Sequence, residues 1–255
     1  MKYYEKLLSL GCFSFGDAVS LIGSEQTALS TLNRYGKKGY VARIRRGLYV
    51  AIDLYDHEPV VSKYEIASAL SKTAVVSHHS AFEYYGYANQ VTYTVSVTSA
   101  TRFNSFSFGG YRYIRRAPSL SSGVEKTGGR LSVTDIERTV LDGIDGFESD
   151  MGFEELVRCI RAIPILNEEK LSRYLSEYGK CFLYQKTGFI LEHYQDEFGI
   201  SNGFLHLCRQ KAGKSSRYLL KDIQNIPFDY SRSWHLTMPK DLWETVEGGA
   251  DHADI

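Results

Sequence analysis

Residues 40–52 leave the chain few options. Two strand-prone runs, YVARI and LYVAI, are separated by Arg45, Arg46 and Gly47, and runs that close in sequence pair as a hairpin. Gly47 supplies the backbone angles that a tight turn demands. The charge around this ribbon is one-sided. Arg34, Lys37, Lys38, Arg43, Arg45 and Arg46 follow one another with no acid among them.

What precedes the hairpin narrows its meaning. KYYEKLLSL, residues 2–10, sets Tyr3, Leu7, Leu8 and Leu10 on one helical side, and Gly11 stops it. FSFGDAVSLIG reads as a second helix closed by Gly23, and Ser24 is an N-cap for a third. On that third helix Ala28, Leu29, Leu32 and Tyr35 form the stripe expected to face the core. Gln26, Thr27, Ser30 and Arg34 form a polar stripe expected to face outward. Three helices followed by a basic hairpin is the order of a winged helix-turn-helix. Residues 1–56 are therefore predicted to be a DNA-binding domain of that type.

The formal net charge of the 255 residues is zero, which excludes a uniformly basic coat and leaves local asymmetry as the informative quantity. Residues 1–52 carry eight cations against three acids, a net +5, so the remainder carries −5. Cys12, Cys159, Cys181 and Cys208 are widely spaced, with no CxxC pair and no apolar leader ahead of them, so a reducing cytoplasm is expected. The longest uncharged run, residues 84–101, is rich in Thr, Ser, Asn and Gln and alternates in polarity, which excludes it as a membrane span.

Residues 57–255 are predicted to be one α+β region, with a possible subdivision near 147. Its first part is a mixed α/β middle region and its second is mostly helical. After a 53–59 linker, SKYEIASALS reads as a helix. QVTYTVSVTS reads as a half-buried strand with Val91, Tyr93, Val95 and Val97 inward, and Gly-Gly pairs at 109–110 and 128–129 mark hairpin tips. Thr134 with Glu137 has capping-box spacing ahead of Ile136, Val140, Leu141 and Ile144. Asn167 caps a helix carrying Leu171, Tyr174, Leu175 and Tyr178, and another helix spans residues 183–198. Trp234, Leu236 and Met238 alternate as a strand before Pro239, and residues 244–255 are expected to be a frayed acidic tail.

The basic ribbon would divide two tasks on double-stranded DNA. Lys37, Lys38, Arg43, Arg45 and Arg46 would meet phosphates, which orients the protein without reading sequence. Gln26, Thr27, Ser30 and Arg34 would face base edges in the major groove, and Tyr49 would either pack inward or touch the sugar-phosphate backbone through its hydroxyl.

Enzymatic and metal signals are weak. His78 and His79 point different ways and lack a third ligand at usable spacing, which favours a packing or capping role. Residues 142–150 lack the pattern of a calcium loop and read as a solvated helix end. Glu168 and Lys170 open a helix instead of lying on a strand beside a second carboxylate. No phosphate loop, nucleophile elbow or dinucleotide fingerprint occurs. The expectation is no enzyme, no catalytic residue, no metal and no cofactor.

Four stretches resemble the AbiEi family of antitoxins and transcriptional regulators from type IV toxin-antitoxin pairs. They are GCFSFGDAVSLIGSEQTALSTLNRYGKKGYVARIRRGLYV, VVSHHSAFEYYGY, VTDIERTVLDGI with Glu137, Arg138 and Asp142, and QKTGFILE from Gln185 to Glu192. The resemblance implies a repressor that binds an inverted-repeat operator of its own operon. It also implies that the C-terminal region neutralises a nucleotidyltransferase-like toxin without binding it tightly. Arg138 in such a helix is expected to brace neighbouring acids. Two other classes stand beside this reading: a winged helix used as a protein-interaction module, and a metal-dependent nuclease.

Overall fold

The computed structural model describes residues 2–221 and 226–248. Its first element, α1 (Tyr4–Leu10), stops at Gly11, whose φ of 67° is open to glycine and costly for other residues. β1 (Cys12–Ser14) follows, and Ser14 opens α2 (Phe15–Ile22) through a capping box with Asp17. Ser24 caps α3 (Glu25–Lys37) by accepting from the Thr27 amide at 3.2 Å. β2 (Val41–Arg45) and β3 (Leu48–Ala51) form the expected hairpin with Arg46 and Gly47 at its tip. β1 pairs antiparallel with β3, giving the order β1-β3-β2.

Two expectations change here. Residues 13 and 14 form a strand and not the head of the second helix, because Phe13 opposite Tyr49 stacks its ring on that tyrosine with centroids 6.0 Å apart. Leu29 leaves the core stripe at 50% exposure, and Thr31 at 3% joins Ala28, Leu32 and Tyr35 instead.

Ser62 and Glu65 form a second capping box at the head of α4 (Lys63–Ala69). β4 (Val75–Val76), α5 (His79–Tyr85), β5 (Thr94–Thr98), β6 (Phe106–Phe108), β7 (Tyr111–Arg116), β8 (Val124–Thr127) and β9 (Leu131–Thr134) come next. The strands assemble in the order β6-β7-β5-β4-β9-β8, with Gly109-Gly110 and Gly128-Gly129 at the two expected tips. β5 pairs with β7 in parallel and with β4 antiparallel, so it lies inside the sheet. Val95 and Val97 are buried as expected, but so are Ser96 and Thr98, and Val91 and Tyr93 are exposed ahead of the strand. The half-buried expectation fails because both faces of β5 are covered.

α6 (Ile136–Gly146) begins at Asp135, whose carboxylate accepts from the Arg138 amide at 3.0 Å. Thr134 is not the cap, since it ends β9 and shares its hydroxyl with Thr139 at 2.7 Å. α7 (Phe153–Arg161) follows, then α8 (Glu168–Tyr178) with its Asn167 cap. The helix expected over 183–198 is divided at Tyr194 into α9 (Cys181–His193) and α10 (Gln195–Phe198). α11 (Asn202–Lys211), β10 (Arg217–Tyr218), β11 (Phe228–Ser231), β12 (Leu236–Pro239) and α12 (Leu242–Gly248) complete the chain. Residues 244–248 are thus helical instead of frayed, and residues 249–255 of the expected tail lie outside the described residues.

The fold is α+β. Its chain divides into two compact units, one of residues 1–76, 92–118 and 125–133, the other of residues 77–91, 119–124 and 134–255. The first unit runs past the expected break at residue 56, because Arg45 donates to the Leu70 carbonyl and Arg130 to the Ser9 carbonyl, which joins residues 1–56 to the following α4 and sheet. The second unit's core gathers Leu141, Ile144, Leu156, Ile160, Leu175 and Ile190 around buried Trp234. Among the described residues no helix is long and apolar enough to cross a membrane.

Candidate nucleic-acid interface

α3 turns Ala28, Thr31, Leu32 and Tyr35 inward, and the 3.6-residue period then forces Gln26, Thr27, Ser30 and Arg34 outward, where all four are exposed. Between α3 and the hairpin lies an open groove of about 1170 Å³. Gln26 and Lys37 line it from the helix, and Arg43, Arg46 and Tyr49 line it from the hairpin. Thr27, Ser30 and Arg34 occupy the adjoining flank of α3, while Lys38 ends the helix with its ammonium 6.0 Å from the Tyr40 ring centroid.

The groove also includes Leu29 and Asn33, which the sequence reading missed. Gln26, Leu29, Asn33 and Lys37 recur at steps of three and four, the spacing of a single helical stripe. In sequence that stripe is concealed, because the helical spacing of Leu29 suits the core stripe equally well. Glu25, the acid lining the groove, sits in the first turn of α3, where the helix dipole favours a carboxylate.

Local bonds fix the polar groups. The Ser24 hydroxyl donates to Thr27 Oγ1 at 2.8 Å, and the Ser30 hydroxyl donates to the Thr27 carbonyl at 3.0 Å. Both hydroxyl oxygens keep lone pairs for an incoming donor. Tyr49 is half-buried by its stacking on Phe13. Among the described residues, Arg34, Lys37, Lys38, Arg43 and Arg46 have no carboxylate partner.

Arg45 departs from the expected phosphate-contacting set. Its guanidinium donates to the Leu70 carbonyl and lies 5.5 Å from the Phe103 ring centroid, turned away from the groove. The register shift between Arg43 and Arg45 explains this, since a bulge there breaks the alternation that would otherwise set both arginines on one face.

A second cluster gathers in the other unit. Glu155 Oε1 accepts from the amides of Asn89 and Gln90, each at 3.0 Å, and meets His79 Nε2 at 3.1 Å and the Cys159 thiol at 3.5 Å. His79 alone of the His78-His79 pair thus meets candidate ligands, Glu155 and Cys159, both from α7. Burial alone would raise the Glu155 carboxyl, yet the bonds from His79, the Gln90 amide and Cys159 hold it below the ordinary carboxylate range. Burial pushes the Cys159 thiol far up, with the Glu155 charge adding to the shift. These bonds brace the turn after α5 against α7. His78, at the N-cap of α5, bonds Ser77.

The nuclease-like carboxylates are also committed to structure. Glu168 accepts from the Ser201 amide and hydroxyl at the head of α11. Asp135 and Glu137 converge, but on the Lys170 ammonium, 3.2 Å from each. Asp142 is 5% exposed instead of solvated, held by the Tyr178 hydroxyl and by Arg138 at 3.5 Å. Arg138 itself is 1% exposed and donates to the Ser122 carbonyl, a bracing position.

No family model and no curated protein matches the chain. Its α+β fold is similar to that of a solved structure, the crystal structure of the RV2827C protein from Mycobacterium tuberculosis. The TM-score is 0.63 at 12% identity, over 93% of this chain and 92% of that one. At that identity the likeness is one of fold.

Proposed function

We propose that this chain is a sequence-specific regulator that binds double-stranded DNA, with α1 to β3 acting as a winged helix-turn-helix and α3 as its recognition helix. The observation that carries the reading is the groove. Lys37, Arg43 and Arg46 line it without carboxylate partners among the described residues, and they flank Gln26 and Asn33, whose amides can pair with a base edge. The succession of three helices and a hairpin, with β1 added to the hairpin's edge, supports the reading.

The resemblance to AbiEi regulators supplies the biological half of the proposal. The chain represses its own operon at an inverted repeat and counteracts a nucleotidyltransferase-like toxin without holding it tightly. The chemistry proposed for it is non-enzymatic.

Operator fragments titrated at two salt concentrations test the DNA reading. Affinity should fall steeply with salt, and Arg43→Ala with Arg46→Ala should flatten the slope by about 2 while weakening all duplexes alike. Gln26→Ala or Asn33→Ala should cost about 1–3 kcal/mol on the preferred site and little elsewhere. Absent or salt-insensitive binding would replace this reading with a protein-interaction module. Growth rescue upon co-expression with the toxin tests the antitoxin half, and the arginine double variant should retain it.

A further inference from the structure

A second basic segment stands near the end of the chain. Residues 209–240 hold Arg209, Lys211, Lys214, Arg217, Lys221, Arg232 and Lys240 against Asp222 and Asp229, a net +5. This segment builds the small sheet β10-β12-β11. Leu236 and Met238 of the central strand point into the core, at 0% and 7% exposure, so Thr237 between them points out.

Register then decides what shares that outer face. Thr237 is paired with Tyr218 on one side and with Tyr230 on the other, which sets the three residues in one row across the sheet. Phe228 lies two residues before Tyr230 and so faces the same way. Tyr218, Phe228 and Tyr230 are 62%, 61% and 44% exposed. Strand spacing places the two tyrosines about 10 Å apart, with Phe228 about 7 Å along from Tyr230. Tyr230 is held in place by its hydroxyl, which bonds Ser216 at 2.9 Å and His235 Nδ1 at 3.1 Å.

Exposed cations stand at both ends of this aromatic face. The amide of Arg217 bonds the His235 carbonyl, which brings the chain at Lys214 toward the turn that carries Arg232. At the opposite end the Lys240 amide bonds the Pro227 carbonyl beside Phe228. Among the described residues, Lys211, Lys214, Arg232 and Lys240 have no carboxylate partner.

We infer that the outer face of this sheet binds single-stranded nucleic acid. Bases stack on Tyr218, Phe228 and Tyr230, and phosphates meet Lys214, Arg232 and Lys240 at the rim. An unpaired strand has open base faces, which a duplex conceals, and aromatic side chains on a sheet bordered by cations suit it regardless of sequence. The positive rim complements a polyanion. The site shares no residue with the α3 groove, and it stands or falls independently of the duplex-binding reading.

Fluorescence anisotropy on the full chain tests it, with fluorescein-labelled oligouridylate and oligothymidylate of about 12 nucleotides. Binding should weaken as salt rises. Tyr218→Ala and Phe228→Ala should each weaken it about 5- to 100-fold, whereas Tyr218→Phe and the Arg43→Ala, Arg46→Ala double variant should leave it intact. Both substituted aromatics are exposed, so circular dichroism should be unchanged. Tighter oligouridylate binding would support the inference with RNA as the ligand, and tighter oligothymidylate binding would support it with single-stranded DNA. The inference is overturned if neither probe binds, if the alanine variants bind as the wild type does, or if the arginine double variant abolishes binding. Lost self-association in these variants with unmoved oligonucleotide binding would overturn it too, making the face a protein contact.

Discussion

A guanidinium that donates to a carbonyl and lies against a ring has exchanged hydration for fixed partners, as Arg45 has through Leu70 and Phe103. Its neighbour Arg46 is exposed and lines the groove. Arg45→Ala should therefore cost about 1–2 kcal/mol of stability in urea unfolding, through a lost hydrogen bond and lost packing. Arg46→Ala should stay within about 0.5 kcal/mol and act on duplex binding instead. Equal stability effects would contradict the assignment. Glu155 offers a parallel case governed by pH. Its folded carboxyl titrates below its ordinary value of 4.5, so its contribution is complete above that pH and is lost as pH falls through the lower folded value. Urea midpoints measured from neutral pH down to pH 3 should fall in the wild type and fall less in Glu155→Gln, which starts less stable.

Elements are held by contacts of two ranges, and α9 depends on the longer one. A Cβ added at Gly188 would stand 2.1 Å from two atoms of the Trp234 ring. The indole is fixed from its other sides, by a 2.5 Å bond to Glu192 and by Arg209 with its guanidinium 5.0 Å from the ring centroid. Gly188→Ala, normally favourable within a helix, should here cost about 1–3 kcal/mol by overpacking and shift Trp234 emission to the red. An unchanged emission maximum with raised stability would show that the indole yields freely. The same division of range separates what was legible in the sequence from what was not. Ser24, Ser62 and Asn167 were readable as helix starts or neighbours of them because a cap reaches only three residues along the chain. The covered second face of β5, the exposure of Leu29 and the meeting of His79 with Glu155 depend on residues far away in sequence. In the candidate interface, the charge and polar flank of α3 were legible, but the groove stripe through Leu29 and Asn33 required knowing which side of the helix the hairpin covers.

Over the whole molecule, a net charge of zero conceals two basic segments, 1–52 and 209–240, each at +5, which leave −10 for the rest. The second is present in the sequence, but a single sum over everything after residue 52 hides it. Its arrangement around an aromatic face emerges only from strand register. Thiols connect to the molecule's stability more uniformly than charge does. Cys12 in the first unit and Cys208 in the second are pushed up to about 12 from an ordinary 9.0, foremost by burial, and Cys159 moves the same way. Raised folded values mean that the native chain keeps protons which the unfolded chain releases above pH 9. Stability is therefore complete below pH 9 and lost as pH rises toward 12, and because each unit holds such a thiol, both should weaken. Denaturant midpoints at pH 8 and pH 10.5 measure the loss, and Cys208→Ala should show less of it than the wild type. Thiol labelling at neutral pH supplies an independent check, since exposed Cys181 should react quickly while Cys159 and Cys208 react only as fast as the second unit opens. Rapid labelling of Cys208 would show that its burial, and with it the alkaline loss assigned to this thiol, is wrong.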